Sequence, residues 1–289
     1  MTALPTPDDV GSFYDRVSDM FGDMMGDNLH VGYWAGPDAP TTMKDAAERL
    51  TDLLIGELRV ASGKRVLDLG CGTGQPAVRL ARAAGVDVVG VTISGAQVEL
   101  ATQRAAAEGL ADRVRFKHAN AMALPFPDDS FDAAWSIESL LHMPDRLTAL
   151  RELARVLRPG GRVVLADPVL RYPDMTDDQR AGLLDLYEIF QIVDIPPIDD
   201  YPRLIRDAGF QLDRLTDIGD DTDRHRLGPR GWILLAEGLR HSGILTSVYG
   251  MTPTERDALL TRMAALERAP EQGYLLVAAH SVKPAAARP

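Results

Sequence analysis

From about residue 62 the chain alternates short β-forming runs with amphipathic helical patterns, and this alternation is the strongest constraint on its fold. Strands are predicted at residues 65–69, 86–93, 114–118, 131–137 and 162–166, with helices at 76–84, 97–107 and 145–157. The first strand is apolar except for Asp68, as is typical of a central strand buried on both faces. Strands that alternate with helices form right-handed βαβ units around a parallel sheet, so the pattern predicts a doubly wound α/β core.

The regions on either side of this core are less regular. An amphipathic helix is predicted at residues 44–58, and helical patterns with Pro and Gly breaks occupy 168–205 and 222–270. Residues 210–218 and 273–279 are predicted as two further strands. Because strands continue after the fifth, the late helices are expected to be insertions over one seven-stranded, mostly parallel sheet with helices on both faces.

Composition narrows the class of partner. The net charge of −11 comes from 31 basic and 42 acidic residues, and no Lys/Arg run exceeds two, which disfavours nucleic acid. No apolar stretch reaches the roughly 18 residues of a membrane span. Cys71 has no second cysteine to pair with, and the N-terminus has no signal-peptide pattern, so we expect a cytoplasmic protein. The oligomeric state is left open, a homo-oligomer included.

A glycine-rich turn follows the first strand. It reads Asp68-Leu-Gly70-Cys-Gly72-Thr-Gly74, and glycines at such a turn let the backbone approach a ligand closely. A dinucleotide fingerprint requires Gly-x-Gly-x-x-Gly, which fails at Gln75, and the Lys-Ser/Thr of a P-loop is absent. The observed spacing is Asp-x-Gly-x-Gly-x-Gly.

The segment from Val66 to Gly74 resembles motif I of class I S-adenosylmethionine-dependent methyltransferases. The run from Asn120 to Phe126 with the following Phe-Asp, and the run Leu-Arg-Pro-Gly-Gly161 with its following strand, match the family in order and spacing. The resemblance implies a Rossmann-like fold and S-adenosyl-L-methionine as cofactor, without a metal. The cofactor-binding residues it implies are Tyr33, Asp68, Gly70, Cys71, Gly72, Thr92, Ile93, Gln97, Asn120, Ala121, Ile137 and His142.

Individual roles at this cofactor site follow from side-chain chemistry. The second strand ends without the acidic residue that usually binds ribose, and Thr92 and Gln97 offer neutral hydrogen-bond partners instead. The run from Thr92 to Gln97 resembles a pattern of small-molecule methyltransferases, which implies that Gln97 reaches the ribose; the alternative is an ordinary first-turn helix residue. Asn120 stands where the family usually has Asp and is expected to meet the adenine amino group through its oxygen. Asp68 is expected to orient the glycine loop and the methionine amino group.

Two candidate catalytic residues follow the fourth and fifth strands, whose carboxyl ends face the ligand crevice in such folds. His142 lies in the run Ser-Ile-Glu-Ser-Leu-Leu-His-Met-Pro-Asp145, and Asp167 follows the fifth strand. A histidine oriented by a carboxylate removes a hydroxyl proton well near neutral pH, so these two are expected to pair. The alternatives are a histidine that only shields the sulfonium and an aspartate that caps the strand end.

Three stretches narrow the resemblance to bacterial natural-product methyltransferases, such as the sugar O-methyltransferase of rebeccamycin biosynthesis. They are the run from Asn28 to Trp34, the run ending at Asp145, and Glu271-Gln-Gly-Tyr274. The likeness implies an N-terminal helical lid at 1–61, with Tyr14 and Tyr33 as wall residues. It implies a cofactor-binding core at 62–167 and an acceptor pocket within 168–289. The sugar enzyme has a His-His pair where this chain has Leu141-His142, which leaves amine or carbon acceptors open.

Tyr14 is a third candidate catalytic residue, as a latch to His142 across the bound cofactor; simple helix packing is the alternative. The remaining histidines (30, 118, 225, 241 and 280) lack metal-ligand spacing and are expected to be structural or exposed. The sequence as a whole predicts methyl transfer to a hydroxyl of a small secondary metabolite. Transfer to nitrogen or carbon is the first alternative, followed by a nucleic-acid methyltransferase and a cofactor-binding protein without catalysis.

Overall fold

Seven strands form one sheet in the computed structural model, which describes residues 4–25, 27–36, 42–172, 174–222, 244–247, 250–265 and 272–283. The strands are β1 (Arg65–Leu69), β2 (Asp87–Thr92), β3 (Val114–His118), β4 (Phe131–Ile137), β5 (Leu157–Leu170), β6 (Phe210–Asp217) and β7 (Gln272–Ser281). Their order is β3-β2-β1-β4-β5-β7-β6. The first five run parallel, and β7 is antiparallel to both of its neighbours. This is the predicted Rossmann-like, mostly parallel sheet.

The described helices are α1 (Pro7–Met25), α2 (Met43–Leu58), α3 (Gln75–Ala84), α4 (Gly95–Ala107), α5 (Arg146–Val156), α6 (Asp177–Phe190), α7 (Tyr201–Asp207), α8 (Ile244–Ser247) and α9 (Pro253–Ala265). A short 3-10 turn, Leu140–His142, lies between β4 and α5. The Asp145 carboxylate accepts from Thr148 N at 2.9 Å, so α5 begins at the predicted cap. Among the described helices, none has the length and apolarity to cross a bilayer.

Side chains of the sheet alternate between two apolar cores, one on each face. In β5, Val163 and Leu165 contribute to the core that contains α5 and α7. Val164 and Ala166 contribute to the opposite core, with residues of α2 and α3. A strand buried on both faces cannot alternate apolar with polar residues, which explains the continuous apolar runs in the sequence.

A third apolar cluster joins the N-terminal helix to the helices inserted late in the chain. Phe13 and Val17 of α1 belong to it together with Leu183 of α6, Leu245 of α8 and Leu259 of α9. The helices inserted after β5 and β6 therefore share a core with α1.

The largest difference from the predicted elements concerns β5, which spans 157–170 where the sequence predicts 162–166. Antiparallel pairing with β7 runs from Arg162 to Leu170, and Leu157 pairs with Phe131. Both partners are distant in sequence, so the local pattern around residue 162 contains no signal for this extension.

Candidate active site

A cavity at the carboxyl ends of β1, β2 and β4 collects most of the predicted site residues. Strands β2 and β3 lie on one side of β1, and β4 and β5 lie on the other. Ligands of doubly wound sheets usually bind where the strand order reverses in this way. The predicted residues that line it are Tyr14, Asp68, Gly70, Cys71, Gly72, Thr92, Ile93, Gln97, Asn120, Ala121, Ile137 and His142. Tyr33 and Asp167 are not among the described residues that line it.

The glycine loop packs tightly between β1 and the start of the 3-10 turn. Gly70 has φ +77°, in the left-handed region, and a Cβ added there would lie 2.2 Å from Ser139 Cβ. The amides of Gly70 and Cys71 both donate to Val91 O, at 2.9 and 3.0 Å. Only glycine allows both this backbone conformation and this close approach.

The N-terminal helix α1 contacts the turn between β2 and α4. Gly11 allows the approach, since a Cβ there would lie 2.7 Å from Ile93 O. The Asp15 carboxylate accepts from Ser94 Oγ at 2.6 Å and from Ala96 N at 3.0 Å, which caps the first turn of α4 from another helix.

The predicted ribose and adenine residues already have partners within the protein. Thr92 Oγ1 donates to Gln97 Oε1 at 2.6 Å, and Gln97 Nε2 donates to Ser18 Oγ of α1 at 3.1 Å. Asn120 Oδ1 accepts from Met122 N at 2.9 Å. These bonds fix the orientation of all three side chains where they border the cavity.

His142 is held at both ring nitrogens. Its Nδ1 lies 2.9 Å from Gln191 O, and its Nε2 lies 2.8 Å from the Tyr14 hydroxyl. A carbonyl can only accept, so Nδ1 carries the proton and the neutral ring presents the Nε2 lone pair to Tyr14. Burial lowers the pKa of His142 to about 4, so the ring is neutral at neutral pH.

The expected pair between His142 and Asp167 is not formed. Both nitrogens of His142 are bonded elsewhere, and neither Asp167 oxygen has a partner in normal hydrogen-bond geometry among the described residues. Asp167 is buried outside the cavity, where desolvation raises its pKa well above the usual value and the Arg146 charge opposes the shift. The carbonyl of Gln191 takes the orienting role that the sequence assigns to this carboxylate.

Tyr33 requires a second correction to the predicted site. Its amide donates to Ala46 O at 2.9 Å, its backbone forms an isolated bridge with Thr222, and the Arg49 guanidinium lies 5.9 Å from its ring centroid. These contacts place it against α2, and it is not among the described residues that line the cavity. His225, His241 and Glu271 lie outside the described residues.

Comparison with known proteins decides the family. Residues 67–165 match the methyltransferase domain family. The 27-O-demethylrifamycin SV methyltransferase of Amycolatopsis mediterranei (strain S699) is 39% identical over 95% of this chain and 97% of its own length. The chain belongs to the S-adenosylmethionine-dependent methyltransferases. The predicted family is thus confirmed, and the rebeccamycin comparison stands as a resemblance.

Two further relatives of the methyltransferase are informative. Methyltransferase GfsG of Streptomyces halstedii is 44% identical over 74% of this chain and 77% of its own length. The crystal structure of the [4+2]-cyclase SpnF superposes with a TM-score of 0.77 at 32% identity, covering 98% of both chains. The fold therefore also occurs in a relative that is named for a cyclisation.

The cofactor of the methyltransferase is S-adenosyl-L-methionine, and the residues present fit it. Asp68 is buried at the cavity, and its Oδ2 has no hydrogen-bond partner within the described chain. Burial raises the pKa of Asp68 to about 7, which the neighbouring Trp135 indole opposes only in part. A buried carboxylate oxygen without a partner suits a cationic ligand group, as the methionine end of the cofactor supplies.

Several cavity residues of the methyltransferase were not predicted from the sequence. Pro7 and Val10 of α1, Asp27 and Leu29 after it, and Glu138 all line the cavity. Glu138 lies in the polar run after β4, and its Oε1 accepts from Val31 N and from Tyr274 Oη. The residues around α1 have no local signal, because only docking of that helix brings them to the cavity.

Proposed function

We propose that this enzyme methylates a hydroxyl group of a small, largely apolar secondary metabolite, with His142 Nε2 receiving the hydroxyl proton. The observation that carries the proposal is the His142 ring, fixed through Nδ1–H so that Nε2 is the nitrogen that accepts a proton at the cavity. The name of the rifamycin relative, which states an O-demethyl substrate, supports oxygen as the acceptor atom.

The chemistry needs one group to accept a proton while the acceptor oxygen attacks. When bound, the cofactor supplies a sulfonium methyl group, which the oxygen takes up as the carbon–sulfur bond breaks and its electron pair stays on sulfur. Nε2 of His142 accepts the hydroxyl proton and later releases it to water. Gln191 O stabilises the resulting imidazolium through Nδ1–H.

Tyr14 covers the same nitrogen from the lid side, which we propose to be residues 1–61. Its hydroxyl donates to Nε2 at 2.8 Å, so it holds the lone pair toward the cavity until the acceptor hydroxyl takes its place. The two rings meet edge to face, with centroids 5.4 Å apart. Tyr14 thus acts as a latch between α1 and the 3-10 turn.

The other cavity residues divide into cofactor and acceptor roles. For the cofactor, we assign the amino-acid end to Asp68 and the glycine loop, the ribose to Thr92 and Gln97, and the adenine to Asn120 and its neighbours, within residues 62–167. For the acceptor, the walls are apolar: Pro7, Val10, Leu29, Met122 and Met143. Residues 168–289 are proposed to complete that pocket.

The charges at the cavity bear on the acceptor class. Of the described residues that line it, Asp27, Asp68 and Glu138 are acidic and none is Lys or Arg. Anionic acceptors such as phosphate esters would meet no compensating cation from these residues. A neutral hydroxylated scaffold fits, and an amine or activated carbon is the alternative acceptor.

The acidic net charge and the free Cys71 thiol support a cytoplasmic protein that acts on small molecules rather than on nucleic acid.

The test uses purified enzyme, methyl-labelled S-adenosylmethionine and a panel of neutral hydroxylated polyketides and aromatic compounds, with amine and phosphate analogues. Label should enter hydroxylated members, and His142→Ala should lower kcat by about 100-fold or more while cofactor binding persists. Tyr14→Phe should lower turnover less than His142→Ala does. The matched control is His280→Ala, a hydrogen-bonded histidine in β7 outside the cavity. Full turnover in His142→Ala would exclude the proton-accepting role.

A second candidate function is cyclisation, which the 32% identity to the [4+2]-cyclase over 98% of both chains favours. A cyclase returns an isomer of its substrate, whereas a methyltransferase adds one methyl group and forms S-adenosylhomocysteine. Mass spectrometry separates the two functions, because it measures both the mass of the product and the amount of S-adenosylhomocysteine formed. An isomeric product without label transfer would favour cyclisation.

A further inference from the structure

We propose that the ion pair between Arg146 and Asp194 is a positioning device for His142, because it holds the backbone carbonyl that orients the imidazole. This inference rests on the proposed function, in which His142 Nε2 receives the acceptor proton. The segment concerned is residues 191–195, which follow α6 and are named the strap.

The strap lies directly beside the 3-10 turn that carries His142. Gln191 O accepts from His142 Nδ1 at 2.9 Å, and Val193 N donates to Leu141 O, also at 2.9 Å. Gln191 ends α6 in the left-handed region, with φ +53°. The bond from Val193 thus fixes the position of the strap relative to the turn, and the Gln191 carbonyl, two residues earlier, bonds the imidazole.

Arg146, at the start of α5, binds the second half of the strap, at Asp194, and we call this ion pair the clamp. Its Nη2 donates to Asp194 Oδ1 at 2.7 Å and to Asp194 O at 3.2 Å. The end of the strap is fastened separately, where Ile195 N donates to Tyr187 Oη at 2.8 Å. Since α5 closely follows the turn, the clamp ties the strap to the same segment that holds His142.

The clamp matters because the Nδ1 bond selects the tautomer. With Gln191 O in place, the proton of the neutral ring stays on Nδ1 and Nε2 keeps its lone pair. If the carbonyl moves away, part of the population carries the proton on Nε2 and cannot accept another there. The strap therefore determines the fraction of molecules that are competent for proton transfer.

The structure also indicates which partner to change. The Arg146 side chain is only 9% exposed, and its charge opposes the rise in the pKa of Asp167 that desolvation causes. Removing Arg146 would leave the buried Asp167 carboxyl group without this compensation. Asp194 is 53% exposed, and its loss leaves Arg146 with the charge of Asp167 and the bond to the backbone carbonyl at position 194. Asp194→Ala is the primary variant, and Asp194→Asn, which keeps one acceptor oxygen without the charge, is the second.

The first measurement is the ¹⁵N spectrum of the His142 ring in the free protein, with its signals identified from the His142→Ala spectrum. Wild-type protein should show the Nδ1–H tautomer, and Asp194→Ala should show a mixture, with Asp194→Asn in between. The second is turnover of a hydroxyl acceptor from the panel, for which kcat should fall about threefold to tenfold while the Kd for S-adenosylmethionine stays within about twofold.

The matched control is Asp52→Ala, which removes a carboxylate of similar exposure, 51%, from the pair with Arg79 on α2 and α3. Asp194 variants with the wild-type tautomer and the kcat of Asp52→Ala would overturn the inference. Its failure is separable from that of the proposed function. Full turnover in His142→Ala refutes the base role, whereas an unshifted tautomer in Asp194→Ala with an inactive His142→Ala refutes only the clamp.

Discussion

A single methyl group added at Gly70 tests the contact between the glycine loop and the residue before the 3-10 turn. The new Cβ of Gly70→Ala would lie 2.2 Å from Ser139 Cβ and 2.6 Å from Ser139 Oγ. Rotating the Ser139 side chain does not move its Cβ, so this overlap is relieved only by a backbone shift. The hydroxyl resists such a shift, because it donates to Leu69 O at 2.9 Å and lies 2.6 Å from Ser136 Oγ. The variant therefore meets both an overlap and an unfavourable backbone conformation.

The expected loss in the free energy of unfolding has two parts, one from the backbone conformation and one from the overlap. Holding a non-glycine residue at φ +77° costs about 1 to 2 kcal/mol, and overpacking a closed site costs about 1 to 3 kcal/mol. We expect Gly70→Ala to lose about 2 to 5 kcal/mol in the free energy of unfolding. Gly63 is a matched control, since it also has φ +77° but an added Cβ would meet nothing within 4 Å. Gly63→Ala should lose only the conformational part.

Urea unfolding followed by circular dichroism measures these free energies, provided that the m-values agree among the variants. Ser139→Gly should rescue part of the loss in Gly70→Ala, by about 1 to 3 kcal/mol of coupling, because it removes the overlap and leaves the backbone strain. Equal losses in Gly70→Ala and Gly63→Ala would refute the close approach. Rescue absent from the double variant would refute the assignment of the overlap to Ser139.

Two other predictions concern cofactor binding. The pKa of Asp68 is raised from 3.8 to about 7, so below about pH 7 the cofactor-free protein carries a proton on this carboxyl group. That proton must leave when the cationic amine of S-adenosylmethionine binds, so the affinity for the cofactor should fall as pH drops below about 7. The same shift means that Asp68 contributes less stability as pH rises from 3.8 to about 7. Calorimetry in two buffers should detect proton release on binding, and Asp68→Asn should abolish it; an unchanged pH slope in Asp68→Asn would contradict this role. Arg104 bonds the Asp27 carboxylate at 2.7 and 3.1 Å and ties the segment after α1 to α4, so Arg104→Gln should speed cofactor dissociation by about threefold to tenfold. Stopped-flow rates should stay at the wild-type value in the control Arg82→Gln, which breaks an exposed pair elsewhere; equal rates in the two variants would count against the Arg104 tie.

Local sequence signals account for the sheet, the glycine loop and many of the described residues that line the cavity. The cap at Asp145 is set by a bond to a residue three positions later. Strand β1 and the turn from Gly70 to Gly74 have distant partners, but the apolar run and the glycine spacing still identify them in the sequence. The continuous apolar runs indicate strands buried on both faces, as the two cores confirm. The place of the cavity follows as well, since βαβ topology brings the carboxyl ends of β1, β2 and β4 together.

Long-range packing, by contrast, sets how His142 is held. The sequence places Asp167 at the next strand end as its partner, yet the ring bonds a carbonyl 49 residues later and a hydroxyl 128 residues earlier. Side-chain type identifies what a residue can bond, but distance and direction decide which bond forms, and a backbone carbonyl such as that of Gln191 has no sequence signature. These partners are set by how α1 and the strap pack against the 3-10 turn, and that packing depends on contacts spread over the whole chain.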